Sequence, residues 1–217
     1  MSTPTSGLTR IGVVGIGTMG SGIAQVAATS GFETVVVDLS PQALAKGTGA
    51  INASLERLVV SYEKTAGERG ITREDRDAAA ARLKISGELG DLLNCDIIIE
   101  AIVEKPEVKA SLYQQLVALG YDKLLVSNTS SISITRLAAV YGKPELFMGM
   151  HFMNPVPLQQ GVEIIRGLLT SEATYNTVVA LCHDFGKIEI PAEDKAGFGI
   201  NRMWIPFVNE AVRVVEE

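Results

Sequence analysis

Gly15-Ile16-Gly17-Thr18-Met19-Gly20 is a GxGxxG run. It follows a short apolar stretch at 11–14 and opens a segment with Met19, Ile23, Val26 and Ala27 at helical spacing. In a strand–turn–helix of this kind the first glycine allows the tight turn. The second lets the backbone approach a pyrophosphate, and the third lets helix and strand pack closely. The helix start then offers unpaired N–H groups to phosphate oxygens. Asp38 closes the next apolar run, about 20 residues on, where an acid bonds the ribose hydroxyls of a dinucleotide. A carboxylate there repels a 2′-phosphate, so the pattern points to NAD rather than NADP.

Other polar residues follow the remaining apolar runs. Glu104 comes after 96–103, the run Ser127-Asn128-Thr129-Ser130-Ser131 after 123–127, and His151 and Asn154 after 146–150. In a doubly wound sheet these are the carboxyl ends of strands, where ligands bind. Singly, each has a plainer reading. Glu104 could favour the start of the next helix, the Ser/Asn/Thr run could be a turn before an N-cap at Ser133, and His151 could be structural. Their clustering at one edge is what those readings leave unexplained. His151 suits general-base chemistry because imidazole titrates near neutrality. Glu163, on the strand after the Pro155/Pro157 turn, could hold one ring nitrogen and support the imidazolium, as a carboxylate does in triad-type sites. The other histidine, His183, falls beside Asn176 on the polar side of a helix expected over 172–185 and reads as surface.

The elements that must position these residues alternate strand and helix. Strands are expected at 11–14, 34–38, 83–86, 96–103, 123–127, 146–151, 161–166 and 188–190. Helices are expected at 19–30, from Pro41 to about 66, at 72–81, from Pro106 with the stripe Val108, Leu112, Leu116 and Leu119, at 134–141 and at 172–185. That alternation argues for an α/β fold, a doubly wound parallel sheet covered on both faces. After Pro191 the pattern changes to one helical stretch, 199–217, carrying Ile200, Trp204, Phe207, Val208, Ala211 and Val214 with Pro206 in its middle. The expected division is 1–191 for the dinucleotide-binding domain and 192–217 for the start of a second, helical domain.

Composition narrows the function classes. Lys and Arg number 19 against 25 Asp and Glu, a net charge of -6. That disfavours nucleic acid and anionic membrane surfaces as partners. Hydrophobic residues are 47% and charged residues 20% of the chain, enough to bury a core. No run reaches the roughly 18 apolar residues of a membrane span, and MSTPTSGLTR lacks a secretion core. The two cysteines, Cys95 and Cys182, have no metal-type spacing. They read as buried residues of a reduced, cytoplasmic protein, without disulfide or metal.

At this point the sequence resembles the 3-hydroxyacyl-CoA dehydrogenase family, most of all its bacterial 3-hydroxybutyryl-CoA branch. The matching motifs are GIGTMGSGIAQVAA (15–28), EAIVEKPEVK (100–109), SNTSSISI (127–134), HFMNPVP (151–157), VEIIRG (162–167) and GFGINR (197–202). They keep the family order over nearly the whole chain. The resemblance implies that the 15–20 loop, Asp38, Glu104, Lys109, Ser130 and Asn154 hold NAD. It implies His151 as the base, Glu163 as its partner, Ser130 beside the substrate oxygen and Asn201 reaching in from the helical side. Ser54 matches a position that contacts CoA. The family's helical domain closes the acyl-CoA cleft and forms a homodimer, and here only its first helix is expected. The chain departs from the family at Gln159-Gln160-Gly161, usually Met-Lys-Leu, and at Ala196, usually Pro. A lysine expected after Ser54 is Ser61, with Lys64 beyond.

The implied activity is NAD-dependent oxidation of a (3S)-3-hydroxyacyl-CoA, or the reverse reduction, in fatty acid or butanoate metabolism. One alternative is a β-hydroxyacid dehydrogenase of the 3-hydroxyisobutyrate/6-phosphogluconate type, which uses a lysine and lacks HFMNPVP. Another is a non-catalytic NAD-binding or structural relative, since the lens lambda-crystallins resemble this family.

Overall fold

The computed structural model describes residues 4–216. Met1–Thr3 and Glu217 lie outside the described residues, and with them the expected reach of the last helix to Glu217. The first half of the fold runs β1 (Arg10–Val14), α1 (Thr18–Thr29), β2 (Glu33–Val37), α2 (Pro41–Lys64), α3 (Arg73–Ala81) and β3 (Leu83–Ser86). The second runs β4 (Ile97–Glu100), α4 (Pro106–Ala118), β5 (Leu124–Ser127), α5 (Ile134–Tyr141), β6 (Phe147–Phe152), β7 (Gly161–Arg166), α6 (Glu172–Asp184), β8 (Ile188–Glu193) and α7 (Ile200–Glu216). All eight strands form one sheet, in the order β3-β2-β1-β4-β5-β6-β7-β8. The order reverses between β1 and β4, the switch point where doubly wound sheets bind ligands.

Local chemistry sets the element ends. Ser40 accepts the Ala43 amide and Pro41 occupies the first turn of α2, where a missing N–H costs nothing. Thr72 and Asp75 form a capping box on α3. The strands bury alternate residues on opposite faces. Val36, Ile97, Ile99 and Ile164 join one core with Ile23 and Leu181. Val35, Ile98 and Ile165 join the other with Leu112 and Leu137.

The structure corrects four expectations. The sheet is parallel only through β6; β7 pairs antiparallel to β6, and β8 runs parallel to β7. The segment 153–160 is too short for the crossover of a dozen or more residues that a parallel return needs. The strand expected over 96–103 stops at Glu100, so Glu104 sits on a loop. The last strand continues to Glu193, pairing with Arg166. On α4 the buried stripe is Lys109, Leu112, Tyr113 and Leu116, while Val108 and Leu119 are exposed. A lysine and a tyrosine take the inner face because their polar ends find buried partners.

Cys95 and Cys182 are buried thiols. Burial pushes Cys95 up to about 11 and Cys182 up to about 12. An unfolded thiol ionises near pH 8.5, so the unfolded chain releases these protons first. The stability this confers is full below about pH 8.5 and is lost as pH rises toward the folded values. Each thiol contributes a slope of about 1.4 kcal/mol per pH unit in that window. Urea titrations at pH 8 to 10 should give a shallower alkaline decline for a Cys95→Ala/Cys182→Ala protein than for the wild type. Equal slopes would remove the thiols as its cause.

Candidate active site

Three structures converge at the carboxyl edge of the sheet. The first is the glycine turn after β1. Gly15 has φ +92°, and a Cβ there would lie 2.6 Å from the Ala101 carbonyl oxygen. A Cβ on Gly20 would come within 1.7 Å of the Gly15 carbonyl oxygen, so only glycine lets α1 close on the turn. Nothing lies within 4 Å of a Cβ on Gly17, which leaves that side of the turn open. No side chain caps α1, so its first-turn amides remain for an incoming phosphate. Asp38 Oδ2 accepts from the Ile16 amide at 3.1 Å and Oδ1 from the Ser40 amide at 2.9 Å. Those bonds fix the carboxylate at the end of β2. A cavity of about 770 Å³ opens here, lined by Gly15, Gly17, Thr18, Met19, Asp38 and Ala101 among others. Ile16 and Gly20 are buried. An open glycine turn, an uncapped helix start and an acid at the adjoining strand end fit a dinucleotide.

The second is the loop after β5, built around Glu104. Glu104 Oε1 accepts from the Thr129 hydroxyl at 2.5 Å and from the amides of Ser130 and Ser131 at 2.8 and 3.1 Å. Its Oε2 lies 3.3 Å from the Lys109 ammonium. Burial pushes the Glu104 carboxyl up, but the Thr129 hydroxyl, Lys109 and the Ser130 amide together hold it below the usual carboxylate range. Lys109 is itself buried, and its ammonium also meets Glu100 Oε1 at 2.5 Å. Glu100 is fully buried, and it accepts from the Tyr113 and Ser127 hydroxyls at 2.7 Å and the Ile102 amide at 2.9 Å. A buried carboxylate needs this many donors. The network ties β4, β5 and α4 under the loop that carries Ser130.

The third is the pair across β6 and β7. Register sets His151 opposite Glu163, and His151 Nδ1 lies 2.8 Å from Glu163 Oε2. A carboxylate can only accept, so Nδ1 carries the hydrogen, and in the neutral ring Nε2 keeps its lone pair. The Ser130 hydroxyl lies 3.0 Å from Nε2 and donates to it when the ring is neutral. Asn128 Oδ1 accepts the Phe152 amide at 2.8 Å and steadies the end of β6. From the start of α7, Asn201 Nδ2 donates to the Ser130 carbonyl at 3.3 Å. The result is a basic imidazole nitrogen oriented from behind, with a hydroxyl beside it.

Of the residues singled out from the sequence, Ser130, His151, Glu163 and Asn201 come together, with Glu104 behind Ser130. Lys109 lies beneath the loop, held by two carboxylates, and outside the wall of the large cavity. Asn154 is exposed on the β6–β7 connection. Ser54 is half-buried on α2 and makes no hydrogen bond to this set. His183 is a partly exposed partner of Glu189. Among the described residues no His/Cys/Asp/Glu group could hold a metal. Sequence reasoning passed over Glu100, Tyr113 and Phe198. The available signal was a charge closing the run Ile97-Ile98-Ile99-Glu100.

The chain is similar to known proteins over most of its length. The family "3-hydroxyacyl-CoA dehydrogenase, NAD binding domain" matches residues 10–195. A 3-hydroxybutyryl-CoA dehydrogenase from Bradyrhizobium diazoefficiens is 42% identical, over 96% of this chain and 69% of the relative. A probable 3-hydroxybutyryl-CoA dehydrogenase from Deinococcus radiodurans is 43% identical, over 96% and 72%. The crystal structure of (S)-3-hydroxybutyryl-CoA dehydrogenase from Ralstonia eutropha superposes with a TM-score of 0.89 at 42% identity, over 96% of this chain and 72% of that one. With a family match over residues 10–195 and relatives of this identity and coverage, the chain belongs to the NAD-dependent 3-hydroxyacyl-CoA dehydrogenase family.

Proposed function

We propose that this protein interconverts a (3S)-3-hydroxyacyl-CoA and its 3-oxoacyl-CoA, with 3-hydroxybutyryl-CoA as the substrate. The observation that carries the reading is the imidazole of His151, held through Nδ1 by Glu163 and presenting Nε2 beside the Ser130 hydroxyl. NAD supplies the hydride acceptor for C3. His151 Nε2 takes the hydroxyl proton as the C3–O bond becomes a carbonyl. Glu163 steadies the imidazolium that forms, and the Ser130 hydroxyl hydrogen-bonds the substrate oxygen. Asn201 holds the Ser130 backbone. In the reverse direction the same imidazolium returns the proton. Glu104, Lys109 and Asn154 are assigned to the nicotinamide side, the first two by shaping the 127–131 loop, and Ser54 to the CoA side.

The same reading divides the chain into a dinucleotide-binding part, 1–191, and a helical part, 192–217. It assigns homodimerisation to the helical part and places the protein in the cytoplasm. Supporting this, α7 exposes Met203, Trp204, Ile205 and Phe207, a patch that invites association. No described helix is long and apolar enough to cross a membrane.

The direct test follows NADH absorbance with acetoacetyl-CoA, with 3-hydroxyisobutyrate and 6-phosphogluconate (each with NAD) as rivals. Turnover of acetoacetyl-CoA alone supports the reading. Turnover only of a rival acid, or NAD binding with no turnover, overturns it. Cofactor choice gives a second prediction. Asp38→Ala removes charge-assisted bonds to the ribose, worth about 1.5–3 kcal/mol, and should weaken NAD by about 10–100-fold. NADP should weaken less or improve, because the repulsion of its phosphate also disappears. Loosening of the glycine turn would affect both cofactors, so their ratio in a binding titration is decisive. An unchanged ratio removes Asp38 from the ribose.

A further inference from the structure

Glu163 is shared between two parts of the chain. Its Oε2 accepts from His151, and its Oε1 accepts the amides of Gly199 and Ile200, both at 2.8 Å. Ile200 is the first residue of α7 and Gly199 the one before it. The Glu163 side chain is fully buried, so each oxygen needs its donors from protein. The positive end of α7 supplies them to one oxygen, and the base occupies the other.

The segment leading into α7 is fastened at both ends. Asp194 accepts from the Ser133 hydroxyl and from the amides of Ile134 and Thr135. Between Asp194 and Gly199 the chain makes a left-handed turn, with φ +75° at Gly197 and +49° at Phe198. A non-glycine residue there is strained. The turn brings the buried Phe198 ring edge-on to the His151 imidazole, at 5.9 Å and 61°. With Asn201 on the Ser130 carbonyl, residues 198–201 touch every member of the Ser130–His151–Glu163 set.

We propose that the seated N-terminus of α7 orients the base. The Gly199 and Ile200 amides are positioning groups for Glu163, and they couple the place of the helical segment to the tautomer and orientation of His151. The inference rests on His151 being the base. If α7 withdraws, Glu163 Oε1 exchanges two fixed donors for mobile water. The carboxylate is then free to turn, and Nδ1 loses its fixed acceptor. Proton abstraction is therefore competent only while the helical segment is seated.

Ile200→Pro removes one of the two amide donors at a first helical position, where proline is favoured. Ile200→Ala keeps the amide and measures what the side chain alone contributes. The chain has two histidines, so a His183→Asn background leaves one set of ring ¹⁵N signals. The expected wild-type signature is a single Nδ1–H tautomer with Nε2 unprotonated. Ile200→Pro should lose that signature beyond any change in Ile200→Ala. Its kcat should fall by about 10–100-fold, the scale of a misplaced catalytic group, with NAD affinity retained. If Ile200→Pro does not fold, Asp194→Ala frees the other end of the segment and should blur the same signature. An unchanged ring signature and kcat in whichever folded variant is measured overturns the inference. Full turnover in His151→Gln would instead overturn the base assignment, whatever the ring signals of the α7 variants.

Discussion

His151→Gln is expected to lower turnover by about 10²–10⁴-fold, the usual worth of a positioned acid or base, while NAD binds as before. Glutamine keeps a polar side chain of similar reach on β6 but cannot accept a proton at neutral pH. Glu163 would keep its two backbone donors, so the start of α7 stays anchored. The glycine turn and Asp38 follow β1 and β2 and do not depend on His151. Kinetics with acetoacetyl-CoA, alongside an NAD titration, separate the two effects. Near-normal kcat would take His151 out of the chemistry. Equal losses in kcat and NAD affinity would mean that the substitution disturbed the site as a whole.

The second large effect is on stability. Lys109→Met should cost about 3–5 kcal/mol, the scale of breaking a buried ion pair from one side. The methionine fills similar volume, so the loss comes from Glu100. That carboxylate would keep the Tyr113 and Ser127 hydroxyls and the Ile102 amide but no counter-charge, and Glu104 would lose its cationic neighbour as well. Adding Glu100→Gln to Lys109→Met should return part of the stability, because neutralising both partners costs less than stranding one. Urea unfolding of both variants provides the test. A Lys109→Met protein within about 0.5 kcal/mol of wild type, the spread of ordinary surface changes, would show that the pair carries no such energy.

What the sequence made legible follows physical lines. The glycine turn announces itself because each glycine answers a steric demand, seen at Gly15 and Gly20 as Cβ positions already occupied by backbone. The Ser130 and His151 positions are legible because strand ends in a doubly wound sheet share one edge, whereas the register that sets Glu163 against His151 comes from the antiparallel pairing of β6 and β7. The reversal of β7 and β8 lay in a loop length, masked by a strand–helix alternation that suits parallel sheets. The α4 stripe was misread because apolarity marks burial only where polar residues lack buried partners. Lys109 and Tyr113 have one in Glu100, which lies 9 and 13 residues away in the chain. The second oxygen of Glu163 was beyond sequence reading, since its donors are backbone amides and any residue type supplies those.

Isotope transfer tests the central claim most directly. NADH carrying deuterium at both C4 positions is incubated with the protein and acetoacetyl-CoA, and the reduced product is examined by mass spectrometry and chiral analysis. Direct hydride delivery from the cofactor predicts one deuterium at C3 of (3S)-3-hydroxybutyryl-CoA. Product without deuterium at C3, product of the opposite hand, or NADH left unconsumed would contradict it.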